Sequence, residues 1–308
     1  MTLLRTPPAT VALKQVPDAL RRLWRQCTEG TPDGNVTRAL TVNLVAVTDA
    51  AGEQELLRTL EQARRRMPCR LFLVRIGTDG DPRMATVSAE ARGFNRAIVL
   101  EQIELCAGDS DFRSLASAVR PLLVDDIQTH LYWSCAFPQQ TSGFDQLAQL
   151  SDHVVVDSAH FERPEVDLRQ LDARRRRGMR ITDLNWLRLR PWRRALAEAF
   201  ELFPWTGRNR GAVSIRHGAG IGGQAGALLL AHWLEDRLGA TVALDQSGLA
   251  KIPYALEFHQ DDVDLRAEVK DAHIEVQVST DASCYLPFSV PASRGRQGDL
   301  LAAAIDLA

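Results

Sequence analysis

Three short runs in the first half of the chain are apolar at nearly every position, at residues 42–47, 71–76 and 154–156. A strand with one wet face alternates apolar and polar side chains, so runs without alternation have to be covered on both sides. The segments between them read as helices, at 52–67, 111–123 and 144–150, with further strands at 84–88, 97–106 and 130–133. Strands buried on both faces and alternating with helices predict an α/β fold, its N-terminal sheet mainly parallel with helices on both faces. An amphipathic helix precedes them at 17–27, where Leu20, Leu23, Trp24 and Cys27 recur at helical spacing.

After residue 204 the pattern changes. A strand at 212–216, a helix at 221–238 and a strand at 241–244 are followed by three antiparallel-type strands, at 255–258, 263–269 and 274–279, and a helix at 298–308. This predicts a smaller C-terminal α/β (α+β) domain. The 308 residues, 45% of them hydrophobic, suffice for two ordinary cores. The expected division is an N-terminal arm and helix over 1–36, an α/β domain over 37–204 and a C-terminal domain over 205–308.

Charge and cysteine usage narrow the function. A net charge of −2 gives the whole molecule no footprint for nucleic acid or for an acidic membrane surface. The basic run Arg174 to Arg177 ends a helix at 164–177, before Gly178. It reads as cations at the negative end of the helix dipole, with phosphate or RNA binding as the alternative. The N-terminus lacks a signal-type apolar core, and the most apolar later run is broken by His232, Glu235 and Asp236. The expectation is a soluble, cytoplasmic protein without a membrane partner. Cys27, Cys69, Cys106, Cys135 and Cys284 are far apart and form no CxxC pair, which argues against a disulfide framework and a zinc site. His153, Asp157, Ser158 and His160 cluster without a nucleophile elbow or HExxH spacing, and Asp157 reads as a helix cap or ion-pair partner. No catalytic residue, metal or cofactor is expected.

The densest stretch is 183–203, which gathers Trp186, Trp192, Arg188, Arg190, Arg193 and Arg194, the residue types enriched at binding hot spots. Its second half reads as a helix opening at Pro191, with Trp192, Leu196, Ala199 and Phe203 on one face and Pro204 as the stop. The first half shows neither alternation nor a helical period and reads as a loop, whose tryptophan is either packed inside its own domain or presented outward. Candidate partner-binding residues are Asp183, Asn185, Trp186, Arg188, Arg190 and Arg193. Trp192 is expected to be structural, while Trp186 and the arginines, taken as exposed, reach the partner.

In order, Asp183, Leu184, Asn185, Trp186, Arg188, Leu189, Pro191, Trp192 and Arg193 resemble the DLNW...PW run of the glucose-6-phosphate dehydrogenase assembly protein OpcA family. Upstream, Leu131, Tyr132 and Trp133, followed by the run from Asp152 and His153 to Asp157 and Ser158, resemble that family's second block. The strand at 38–47 is similar to its first. The resemblance implies a non-enzymatic assembly factor and allosteric activator. Such a protein binds glucose-6-phosphate dehydrogenase and favours its active oligomer, at the entry to the oxidative pentose phosphate pathway. One departure stands out: Arg190 occupies the position before the proline where a small hydroxyl N-cap is expected.

A second reading starts from Gly218, Gly220 and Gly223, which fit GxGxxG after a strand and before a helix, with Asp245 at the end of the next strand where a ribose-binding carboxylate would sit. This alternative is a nucleotide-binding oxidoreductase. Glycines that let a helix pack closely on its strand produce the same spacing, and the residues after Asp245 read as antiparallel strands rather than the second parallel half of a dinucleotide fold.

Overall fold

The structure, a computed structural model, describes residues 2–29, 36–37, 40–78, 80–93, 97–108, 114–201, 211–218, 222–246, 254–281, 284–292 and 295–307. In chain order the elements begin with β1 (Thr2–Arg5), β2 (Ala9–Ala12), α1 (Val16–Glu29), β3 (Val36–Thr37), β4 (Val42–Thr48), α2 (Glu53–Ala63), β5 (Cys69–Ile76), β6 (Met84–Gly93) and β7 (Ala97–Ala107). Then come α3 (Leu115–Val119), β8 (Gln128–Trp133), α4 (Ser142–Gln149), β9 (His153–Val156), α5 (Pro164–Arg176), β10 (Ile181–Asp183), α6 (Leu184–Arg188) and α7 (Arg190–Glu201). The chain finishes with β11 (Ala212–His217), α8 (Gly223–Leu238), β12 (Thr241–Gln246), β13 (Tyr254–Gln260), β14 (Val263–Lys270), β15 (His273–Thr280), β16 (Phe288–Pro291) and α9 (Gln297–Asp306).

Two compact units result. One comprises Met1–Val156, Arg175–Thr182 and Arg296–Ala308, the other Asp157–Arg174 and Asp183–Gly295. Both are discontinuous, whereas the segments expected from the sequence are contiguous.

The first unit holds a sheet in the order β1-β6-β7-β5-β4-β8-β9-β10, with β2 also on β6 and β3 on β7. From β7 through β5, β4 and β8 to β9 the strands run parallel. Every residue of β4 and β9 is buried, as runs without alternation require. Tyr132 of β8 is reached by Gln297 of α9, while the adjacent Trp133 packs edge-to-face on Phe144 of α4 with ring centroids 5.2 Å apart. Neighbouring strand residues point to opposite faces, so α9 and α4 cover opposite sides of the sheet. The fold is thus α/β, with helices on both faces of a largely parallel sheet.

Strands β1 and β2 have no counterpart in the sequence reading. Each is four residues long and antiparallel to β6, far along the chain. Thr6 secures them by donating through Oγ1 to the Ala89 carbonyl (2.9 Å) and accepting from its N–H (3.0 Å). Such short strands carry too few positions to show a period.

The second unit holds the sheet β12-β11-β13-β14-β15-β16. Only β11 and β12 pair in parallel, across α8; the rest are antiparallel. Val213, Ile215, Leu256, Phe258, Leu265, Ala267, Ile274, Val276 and Val278 alternate inward to a core shared with Trp192, Leu196 and Ala199 of α7 and Leu230 and Leu234 of α8. The basic helix end is also present: Gly178 follows α5 with φ +94°, its N–H donating to the Arg175 carbonyl (3.0 Å). Phe203 and Pro204, the expected helix stop, lie outside the described residues.

Candidate functional site

The segment expected to be a loop is a helix. Asp183 has extended backbone (φ −101°, ψ 122°), and its Oδ1 accepts from the Asn185 N–H (2.9 Å), which makes it the N-cap of α6. Five residues are too few to display a helical period, which is why the pattern of 184–188 reads as irregular. Leu189 closes α6, and its carbonyl accepts from the Arg193 N–H (3.0 Å), so α6 runs on into α7. This continuity explains how α7 begins at Arg190 without a hydroxyl cap.

The polar residues of α6 bind a turn 25 to 31 positions upstream. Asp183 Oδ1 accepts a second bond from the Ser158 N–H (3.0 Å), and Asn185 Nδ2 donates to Ser158 Oγ (3.2 Å). Arg188 forms a two-pronged ion pair with Asp157, Nη1 to Oδ1 at 2.7 Å and Nη2 to Oδ2 at 2.6 Å. Asp157 also caps its own turn, accepting from the Ala159 N–H (3.2 Å), and His160 Nε2 lies 3.6 Å from its Oδ2. The two sequence blocks, one ending in Asp157-Ser158 and the other opening at Asp183, are therefore clasped together. Asp157 and Ser158 are absent from the sequence-derived site, although the alternatives considered for Asp157, cap and ion-pair partner, are both realised.

Arg188, taken from sequence as exposed, is turned inward. Its side chain is 15% exposed and that of Asp157 is 0%. A buried carboxylate needs a paired counter-charge, and Arg188 supplies it. Asn185 is buried as well. Trp186 is half-buried, its ring lying beneath the Arg193 guanidinium with Cζ 3.5 Å from the centroid, and Arg193 Nη2 donates to the Trp186 carbonyl (3.3 Å). Burial, helped by the charge of Arg190, brings the Arg193 pKa down to about 10, still a cation at neutral pH. Arg190 is exposed, and Trp192 is in the core.

Asp183 is the member of the clasp with an unsatisfied oxygen. Its Oδ2 is buried without a hydrogen-bond partner. Desolvation first, and the charge of Asp157 second, push its pKa from 3.8 up to about 6. An acid whose folded pKa is raised contributes stability that is fully present below pH 3.8 and lost as pH rises through about 6. Compared with wild type, Asp183→Asn should therefore gain stability between about pH 4 and pH 6, by roughly 3 kcal/mol. Denaturant unfolding across that range checks it; a difference that does not vary with pH would contradict the buried, unpartnered carboxylate.

Two glycines at the start of α8, Gly222 and Gly223, are accounted for by packing. Gly222 has φ +81°, and a Cβ there would come within 2.8 Å of the Ala159 Cβ, in the clasped turn. A Cβ on Gly223 would come within 2.4 Å of the Gly218 carbonyl oxygen. Glycine is required by these approaches whether or not a ligand binds. Asp245 is exposed on β12, paired in register with Arg216, and Gly220 lies outside the described residues. Gly222→Ala is expected to cost about 1–3 kcal/mol in unfolding free energy, from the left-handed backbone and the contact with Ala159 together. A change below about 0.5 kcal/mol would remove this account of the turn.

Among the described residues no group of three or more His, Cys, Asp or Glu is placed to hold a metal ion. None of the described helices is long and apolar enough to cross a membrane. Of the cysteines, Cys27, Cys69 and Cys135 are buried and Cys284 is exposed.

A family model described as the N-terminal domain of a glucose-6-phosphate dehydrogenase subunit matches residues 60–173. A second, described as the corresponding C-terminal domain, matches residues 179–307. A protein of Nostoc punctiforme that bears the name OxPP cycle protein OpcA is 30% identical over 187 residues, 59% of this chain and 40% of that protein. One of the same name from Synechocystis is 29% identical over 180 residues, 56% of this chain and 37% of that one. The chain spans about two fifths of the length of these curated relatives. Among solved structures, a 3-ketoreductase mutant from Actinomadura kijaniata, in complex with TDP-benzene and NADP, aligns with a TM-score of 0.49 at 14% identity, covering 87% of this chain and 88% of that one. A likeness at that level carries no functional argument. The two adjoining family matches together take in most of the sequence, and by them the chain belongs to the OpcA family of glucose-6-phosphate dehydrogenase assembly proteins.

Proposed function

We propose that the chain is a non-enzymatic assembly factor that binds glucose-6-phosphate dehydrogenase and favours its active oligomer, acting as an allosteric activator in the oxidative pentose phosphate pathway. The observation that carries this reading is the pair of adjoining family matches, both described in terms of glucose-6-phosphate dehydrogenase. A protein that binds one state of an enzyme more tightly than another shifts the population by that difference in affinity, and needs no chemistry of its own.

The docking surface in this reading is built around α6 and the start of α7. Asp183, Asn185 and Arg188 position it through the clasp, while Trp186, Arg190 and Arg193 meet the partner. A half-buried tryptophan stacked under an arginine is a pre-organised anchor of the kind that dominates interfaces. Trp186→Ala is expected to weaken binding by about 2 kcal/mol or more. Arg190→Ala, at an exposed position, should weaken binding while leaving stability within about 0.5 kcal/mol. Light scattering of the purified dehydrogenase with and without the chain tests the proposal. A complex, with the dehydrogenase moved to a larger oligomer, is expected; two species that elute separately with unchanged masses would refute it.

A further inference from the structure

Because α6 runs on into α7, Trp186, Arg190, Arg193 and Arg194 follow helical spacing at i, i+4, i+7 and i+8 and share one face. Trp192, Ala195, Leu196 and Ala199 are buried on the other. Arg190 and Arg194 are exposed, and Arg193 is half-buried over the Trp186 ring. Elsewhere in the second unit Arg163, Arg188 and Arg216 sit on Asp167 (3.2 Å), Asp157 (2.6 Å) and Glu257 (3.2 Å). The three arginines of this face differ: among the described residues none has a carboxylate partner, and Arg193 donates only to a backbone carbonyl.

The first turn of α7 carries no acidic residue, and the exposed Glu198 and Glu201 further along make no ion pair with these arginines among the described residues. Like charges at i, i+3 and i, i+4 repel one another. That repulsion is felt locally, since the charge of Arg190 adds to burial in lowering the Arg193 pKa. Carboxylates brought to the face relieve it and complement its charge. Nucleic acid fits less well. One face of the Trp186 ring is covered by a guanidinium and offers no platform for a base, and the chain as a whole has a net charge of −2.

Resting on the reading of α6 and the start of α7 as the docking surface, we propose that the dehydrogenase meets this face with an acidic segment, its Asp or Glu carboxylates set against Arg190, Arg193 and Arg194. Surface plasmon resonance of the whole chain with the purified dehydrogenase, at about 50 mM and about 200 mM salt, tests it. Arg190→Glu and Arg194→Glu should each bind about tenfold more weakly at the lower salt, chiefly through a slower on-rate, and the wild-type advantage should shrink at the higher. Arg190→Gln should fall between wild type and Arg190→Glu. Both positions are exposed, so these variants should melt as wild type does. Arg22→Glu makes the same change of charge at an exposed position of α1 and should bind within about twofold of wild type. If the dehydrogenase binds wild type and both reversed variants alike, or if Arg22→Glu weakens binding as much, the acidic segment is ruled out while the docking reading stands. A single-stranded oligonucleotide that binds wild type and is lost in both reversed variants would overturn the choice of a polypeptide. Failure of wild type itself to bind the dehydrogenase would refute the docking reading and this inference with it.

Discussion

Trp192→Ala is expected to lower the unfolding free energy by about 3–5 kcal/mol, the range for truncating a buried tryptophan. Its side chain is 4% exposed and belongs to the same core as Leu196, Ala199, Ile274 and Val276. Removing the indole takes away transfer energy and leaves a cavity that α7 cannot collapse into without disturbing the antiparallel strands beneath it. A typical domain has only about 5–15 kcal/mol in hand, so the variant should melt many degrees early or express poorly. Arg194→Ala, exposed on the same helix, is the matched control and should change stability by less than about 0.5 kcal/mol. Equal melting of the two variants would mean that α7 does not bury this face.

Arg188→Ala is expected to be about as damaging, at roughly 3–5 kcal/mol, for a different reason. It leaves Asp157, whose side chain is 0% exposed, charged and without its two-pronged partner. The pair need not be a net source of stability, since two buried charges carry heavy desolvation costs; the penalty lies in breaking it from one side. The double variant Asp157→Ala/Arg188→Ala should consequently lose much less than the sum of the two single losses, and equilibrium unfolding of the four species measures the coupling. Strict additivity would show that the clasp does not hold the helix to the turn.

How much of the molecule is legible in its sequence depends on the distance over which the determining contacts act. The apolar strands and the face of α7 carry their evidence locally, in alternation or its absence and in 3.6-residue spacing, and β4, β9, Trp192, Leu196 and Ala199 sit as that spacing implies. The orientation of Arg188 does not, because the group that turns it inward is 31 residues away, and a basic side chain beside a tryptophan looks the same whether it faces a partner or a buried aspartate. The helix α6 escapes a sequence reading because five residues are shorter than the window in which a period shows, although its cap, Asp183 followed by Asn185, is visible as a residue type. The glycines of 218–223 mark a turn between strand and helix by their spacing alone; that Gly222 is pressed against Ala159 is a contact only the folded chain supplies.

The central claim, that the chain acts through glucose-6-phosphate dehydrogenase, is tested most directly by the steady-state rate of purified dehydrogenase titrated with the purified chain at fixed substrate and cofactor. The account predicts a rate that rises and saturates at a fixed molar ratio, and a rise that is weakened with Arg190→Ala although that variant stays folded. A rate that is flat across the whole titration, with a well-folded chain, would contradict it.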